Sequence, residues 1–261
     1  MERENSPRSI VRHAREMLKD FWRPIYGAQL LAIVLFIGVI TVVIFLAVIV
    51  ISAIPRAGDV ILPLAIILAF VPGIIIYSAM LGSVFGIIRE IMIGGDYYVE
   101  FKNAFFYFKK YWKQYALSSI MLSSFTILFS LAIALLRSTL PVWFLFACLV
   151  GVNLAWYSAI CFLFPAASAG FSFRSAVRTS LSLFRGHAGH VLKSYGPYFL
   201  IQQIMTALSL LAANDAIGNF AMAISFLAGG FVLEILFVPF LCAISSLLYY
   251  SLQESGTGER M

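Results

Sequence analysis

Few side chains in this 261-residue chain could do chemistry, and most of them stand inside long apolar runs. Glu234 is the clearest, a carboxylate held between Phe231-Val232-Leu233 and Ile235-Leu236-Phe237. An ionisable group in hydrocarbon is costly, so it faces a bundle interior or a cavity, where it meets a substrate, a proton or a partner helix. Thr126, Asn153, Gln202 and Gln203 fall at a comparable depth in other runs, about 12 residues or roughly 18 Å from a run's start. Together with Glu234 they form the candidate substrate-binding layer. The same side chains also suit plain interhelical hydrogen bonding, with Glu234 protonated among the amides.

Beyond that layer, the residue types that carry catalysis or metal binding lack partners. Cys148, Cys161 and Cys242 are scattered through apolar runs without a C-x-x-C spacing and read as small apolar residues. His187 and His190 form Gly-His-Ala-Gly-His with no acid or cysteine nearby. That is too little for zinc, and the two read as a satisfied or lipid-facing pair. No G-x-S-x-G turn, phosphate-cradling glycine loop or paired carboxylates are present. No catalytic residue, metal site or cofactor is expected, and the chain reads as a non-enzyme.

The elements that must position the layer follow from composition. The chain is 62% hydrophobic and only 11% charged, against about a quarter charged in an ordinary soluble domain. About 20 apolar residues in a helix cross a hydrocarbon core of about 30 Å. The pattern predicts an all-α integral membrane protein with six transmembrane helices, near Tyr26 to Ile54, Val60 to Ile88, Gln114 to Leu136, Leu140 to Phe164, Val191 to Ala212 and Ala221 to Tyr250. Short connections near Pro55 to Asp59, Arg137 to Thr139 and Ala213 to Phe220 make each pair an antiparallel hairpin. The first run is too long for a cleaved signal and is expected to stay.

All but Arg56 and Arg137 of the 18 Lys and Arg residues fall on one side of these spans. The positive-inside rule makes that side cytoplasmic, with both termini there, in a multi-pass protein of the cell membrane. The net charge of +6 is spread over three juxtamembrane segments, so it points to anionic head groups and not to nucleic acid.

Each basic segment precedes a hairpin, and the three overlay without gaps. Arg12, Lys102 and Arg174 coincide, then Ala14, Ala104 and Ala176, then Trp22, Trp112 and Phe184, then Arg23, Lys113 and Arg185. The chain is read as one membrane domain of three repeated elbow-helix-plus-hairpin units, approximately 1–95, 96–168 and 169–261. Ser6-Pro7, Gly94-Gly95-Asp96 and Gly170 with Ser172 punctuate the elbow starts. Apolar faces are expected at Val11, Ala14, Leu18, Phe21 and Trp22, at Phe101, Ala104, Phe105, Phe108 and Trp112, and at Phe173, Val177, Leu181 and Phe184. Such helices lie in the interface, which makes Arg12, Arg23, Lys102, Lys113, Arg174 and Arg185 candidate lipid head-group contacts.

The stretches GGDYYVEFKNAFFYF, PAASAGFSFRSAVRTSLSLFRGHAGHVL and LLYYSLQESGTG resemble the membrane domain of some glycerophosphoryl diester phosphodiesterases. The same domain occurs alone in bacterial and archaeal membrane proteins, and the likeness touches all three repeats. In that family the last stretch reads as an aromatic pair followed by Asp-Leu-Arg, where this chain has Ser251-Leu252-Gln253. These 261 residues do not encode the soluble catalytic barrel of the fused relatives. The resemblance therefore implies membrane localisation and a connection with lipids, without hydrolase activity.

The function expected is transport or handling of a lipid or small amphipathic molecule through a midplane polar cavity, with Pro72-Gly73 and Gly229-Gly230 allowing local bending. The alternative is a membrane scaffold or assembly factor that docks partner subunits. Gly82-x-x-x-Gly86 suits either, since small residues let helices approach closely. Expected partners are membrane lipids, with a membrane-protein partner or a homo-oligomer in the second case.

Overall fold

The computed structural model describes residues 6–53, 75–76, 78–79, 81–93, 103–136, 141–204 and 237–253. Among them the fold is all-helical, without a strand. Helix α1 is Pro7–Asp20, α2 Trp22–Ala53, α4 Asn103–Leu136, α5 Val142–Ala159, α6 Leu163–Ser168 and α7 Phe173–Ser194. Between α2 and α4 lies α3, residues 81–93, while α8 covers 196–204 and α9 is Phe237–Gln253. Glu234 and Lys102, Pro72-Gly73, Gly229-Gly230 and much of the second, fifth and sixth spans lie outside the described residues. Two stretches, Trp22–Val50 and Val150–Ser168, are long and apolar enough to cross a membrane.

Local chemistry fixes the elbow helices. Ser6 caps α1 by accepting from the Ser9 backbone N–H at 3.2 Å, with Pro7 in the first turn, where its missing N–H costs nothing. Ser172 caps α7 through the Ser175 N–H at 3.4 Å. Just before it, α6 stops in a Schellman arrangement. Gly170 takes a φ of +95° while its N–H reaches the Ala167 carbonyl and that of Phe171 reaches Ala166.

The three helices read from the sequence as elbows continue differently. A break at Phe21 separates α1 from α2 (φ −116°, ψ 28°), whereas α4 runs unbroken from elbow into span. In α7 the backbone leaves helical geometry at His187 (φ −134°, ψ 27°), between Gly186 and Gly189. The histidine motif is therefore the joint of the third elbow.

A single core cluster gathers α1, the start of α2, α3, the start of α4, α6, α7, α8 and α9. Ile10, Ala14 and Leu18 give α1 its packed face, one turn apart. On α4 the packed face carries Ala104, Tyr107, Tyr111 and Tyr115, while Phe105, Phe106 and Trp112 stay exposed. This differs from the apolar face expected from the sequence, and α3 supplies the reason. A Cβ at Gly82 would stand inside the Tyr115 ring and one at Gly86 inside the Tyr107 ring, so the two glycines seat the two tyrosines. The ladder continues from Tyr115 to Phe164 at 6.2 Å and on to Phe85 at 5.2 Å. In α7 the buried residues are Ala176 and Ser180 before His187 and Val191 and Ser194 after it, and Phe173, Val177, Leu181 and Phe184 are only half-buried.

Candidate functional site

Beside that core, α3, α4, the α5–α6 junction, α8 and α9 leave a cavity of about 420 Å³ between them. Phe85, Phe164 and Phe199 supply aromatic wall, and Ile160, Val238 and Leu241 aliphatic wall. Polar atoms come from Ser78, Ser119 and Ser245, from Tyr157 and Tyr195, and from Gln202 and Gln203. No Asp, Glu, Lys, Arg or His lines it among the described residues. The volume falls in the range of small-molecule sites, and such a lining accepts an apolar body with a neutral hydrogen-bonding end.

Local packing explains how these groups are held. Tyr195 begins the turn into α8, stacks on Phe199 one turn later at 5.7 Å, and Phe199 stacks on Tyr157 at 4.8 Å. That aromatic run fixes the rotation of α8, and Gln202 and Gln203 follow on the same helix. Ser245 sends its hydroxyl back to the Cys242 carbonyl at 3.0 Å, a local bond that keeps the oxygen available as an acceptor. Cys161 and Cys242 are free, buried and in the same wall. No cluster of three or more metal-ligating side chains occurs among the described residues.

The structure sorts the sequence candidates. Gln202 and Gln203 come together in the cavity wall. Asn153 does not reach it and is buried on α5, its Oδ1 without a hydrogen-bond partner. One turn on, Trp156 stacks against Phe125 of α4 at 4.3 Å and leaves its Nε1 equally unpartnered. Thr126 lies on α4 next to Phe125. Relative to the spans read from the sequence, the cavity is displaced from the midplane toward the elbows, because Ser78 to Phe85, Ser119, Tyr195 and Ser245 all belong to elbow-side span ends. Its serines and tyrosines were missed by depth counting. Their signal was the paired serines at 118–119 and 245–246 inside otherwise apolar runs.

On the elbow side of the cavity only some polar groups are paired, since the Gln29 amide, the Arg89 Nε and the Ser246 hydroxyl are buried without a hydrogen-bond partner. Asn103 donates to the Glu90 carboxylate at 3.0 Å, and Gln253 donates to the Tyr249 hydroxyl at 2.9 Å. Burial, with the Glu90 carboxylate adding to it, raises the Tyr107 hydroxyl above its ordinary pKa against the pull of Arg89. The histidine joint is another partly unsatisfied place. His187 is exposed, whereas the His190 Nε2 is buried without a partner, so the pair is not fully satisfied. Burial first, then His187 and Lys193, lowers the pKa of His190.

The candidate head-group residues occupy the periphery. Arg23 lies over the Trp22 ring at 5.6 Å and Lys113 over the Trp112 ring at 5.7 Å, both tryptophans exposed. Such cation–aromatic pairs suit a membrane–water boundary. Arg12 meets Glu16 at 4.0 Å. Arg174 and Arg185 line a separate groove beside α7. No protein-family model, curated protein or solved structure matches this chain.

Proposed function

We propose that this chain is a six-span membrane protein that holds and handles a lipid or similar amphipathic molecule in the cavity between α3, α4, α5–α6, α8 and α9. The observation that carries this reading is the lining itself, apolar and aromatic with neutral hydrogen-bonding groups from several helices and no charge among the described residues. An amphiphile with a hydroxyl, ester or amide end satisfies both halves of that wall. The amides of Gln202 and Gln203 hydrogen-bond its polar end, and the phenylalanines enclose its chain. Three elbows lie on the cytoplasmic surface in this reading. Ala14, Ala104 and Ala176, aligned across the three units, are each fully buried, which supports the internal repeat.

The test is retention of lipid by the purified protein, read by native mass spectrometry after extraction in a mild detergent. Ser119→Phe should fill the cavity and abolish retention of an uncharged amphiphile while the helical spectrum is kept. Retention equal to wild type in that variant would overturn the proposal. The long exposed apolar face of α2 favours the second reading, a scaffold that docks partner subunits. In that case Ser119→Phe leaves assembly with the partner untouched.

A further inference from the structure

The groove beside α7 is a different kind of site from the cavity. It measures about 740 Å³ and is lined by Arg174, Arg178 and Arg185 together with Phe173, Val177 and Leu181, with Met121 of α4 across from them. We infer that it binds the head group of an anionic phospholipid of the elbow-side leaflet, with the three arginines on the phosphate and the apolar strip under the first part of an acyl chain.

Helix geometry builds the arrangement. At 100° per residue, positions 174, 178 and 185 fall within an arc of about 40° and along roughly 16 Å of axis. Phe173, Val177 and Leu181 form a parallel stripe on one flank of that arc. Ala176 and Ser180 point the opposite way and are fully buried, and the Ser180 hydroxyl donates to the Ala159 carbonyl at 3.1 Å. The helix is thus anchored from behind, and its three exposed arginines face outward.

Among the described residues their charge is uncompensated. Helix α7 contains no acidic residue, and no ion pair among the described residues involves Arg174, Arg178 or Arg185. The helix N-terminus adds further positive potential near Arg174. Guanidinium groups at this spacing match phosphate oxygens through paired hydrogen bonds. A soluble phosphate would leave the Phe173, Val177, Leu181 and Met121 side of the groove in water, whereas a lipid covers it. Arg178, which the repeat alignment does not single out, becomes a ligand equal to the other two.

This inference rests on the reading of α7 as an interfacial helix, and the experiment separates the two. The full chain is reconstituted in nanodiscs of phosphatidylcholine with a small fraction of phosphatidylglycerol, and the bound anionic lipid is counted by native mass spectrometry. Each Arg→Gln change at 174, 178 or 185 should weaken retention about fivefold, and the triple variant about a hundredfold. A triple change of equal charge on α1, Arg8→Gln with Arg15→Gln and Lys19→Gln, should have much less effect. Equal losses in the two triple variants would overturn the site in favour of diffuse attraction, and so would displacement of the lipid by millimolar glycerol phosphate. Should the triple α7 variant misfold, Arg178→Lys decides, because lysine keeps the charge without the paired hydrogen bonds: a loss close to that of Arg178→Gln supports the site, and retention equal to wild type would overturn it in favour of diffuse attraction. Release of the wild-type chain from membranes by alkaline carbonate would sink the interfacial reading itself.

Discussion

Apolar side chains near the two ends of helix α2 have opposite surroundings. Near its start Ile25 and Ala28 are fully buried in the core, whereas further along Val34, Val42 and Phe45 are 63%, 58% and 64% exposed. The difference lies in what surrounds the helix and not in its residues. Its start packs on α1 and belongs to the core cluster that also gathers α3, α7 and α9. Beyond Val34 the helix continues as an arm whose described side chains are mostly exposed, with Val39 and Val43 half-buried among them. Exposed to water at roughly 25 cal/mol per Å², such a face would forfeit stability comparable with the whole net stability of a domain, about 5–15 kcal/mol. The arm therefore calls for an apolar cover, lipid in the first reading proposed above and a partner subunit in the second, and the packed body supplies the cavity and the groove.

Breaking the packed body should produce the largest effect. Tyr115 is fully buried over Gly82, between the Tyr111 and Phe164 rings at 6.1 and 6.2 Å. Tyr115→Ala removes the centre of that ladder and should cost about 3–5 kcal/mol, as large aromatic truncations in packed cores do. Reversible unfolding in mixed detergent micelles would measure it. A cost below about 1 kcal/mol would mean that the body is no better packed than the arm.

The arm is sharpened by a charge instead of a deletion. Val42 lies near the centre of the first span read from the sequence and touches little protein. Val42→Lys should cost about 2.5–3.5 kcal/mol in a translocon insertion assay if hydrocarbon surrounds the arm. In water the same change would be close to neutral. The assay therefore separates a lipid-embedded arm from a solvent-exposed one, and a neutral result would remove the first span from the architecture.

The contrast within α2 also shows what could be read in the residues and what could not. Composition and the apolar runs make the all-helical class legible, and the caps at Ser6 and Ser172 stand where Pro7 and Gly170 announce them. The amphipathic period of the elbows was legible too, but not which stripe would pack. Burial on α4 went to Tyr107, Tyr111 and Tyr115 because two glycines on a distant helix make room for their rings, a tertiary fact that periodicity does not encode. Depth counting found Gln202 and Gln203 for the cavity. It overlooked Ser119 and Ser245, whose small side chains become significant only when five elements meet around them.

Between body and groove stands the joint at His187, and it carries the smallest expected effect. The buried His190 Nε2 has no partner, and burial, His187 and Lys193 together hold its pKa below the usual value of 6.5. The unfolded chain then binds more protons than the folded one just below pH 6.5. Stability from this group is complete above about 6.5 and is lost as pH falls through the lowered folded value. Partial exposure screens the effect, so it should show only as a difference between proteins. Thermal unfolding of wild type and His190→Gln between pH 7.5 and 5 should give melting temperatures that converge as the solution becomes acid, with wild type losing more. Parallel curves would place His190 in water on the lipid-facing periphery and take the joint out of the packed body. Convergence that weakens in a His187→Gln background would locate part of the destabilisation in the pair, because His187 is one of the causes that lower the His190 pKa.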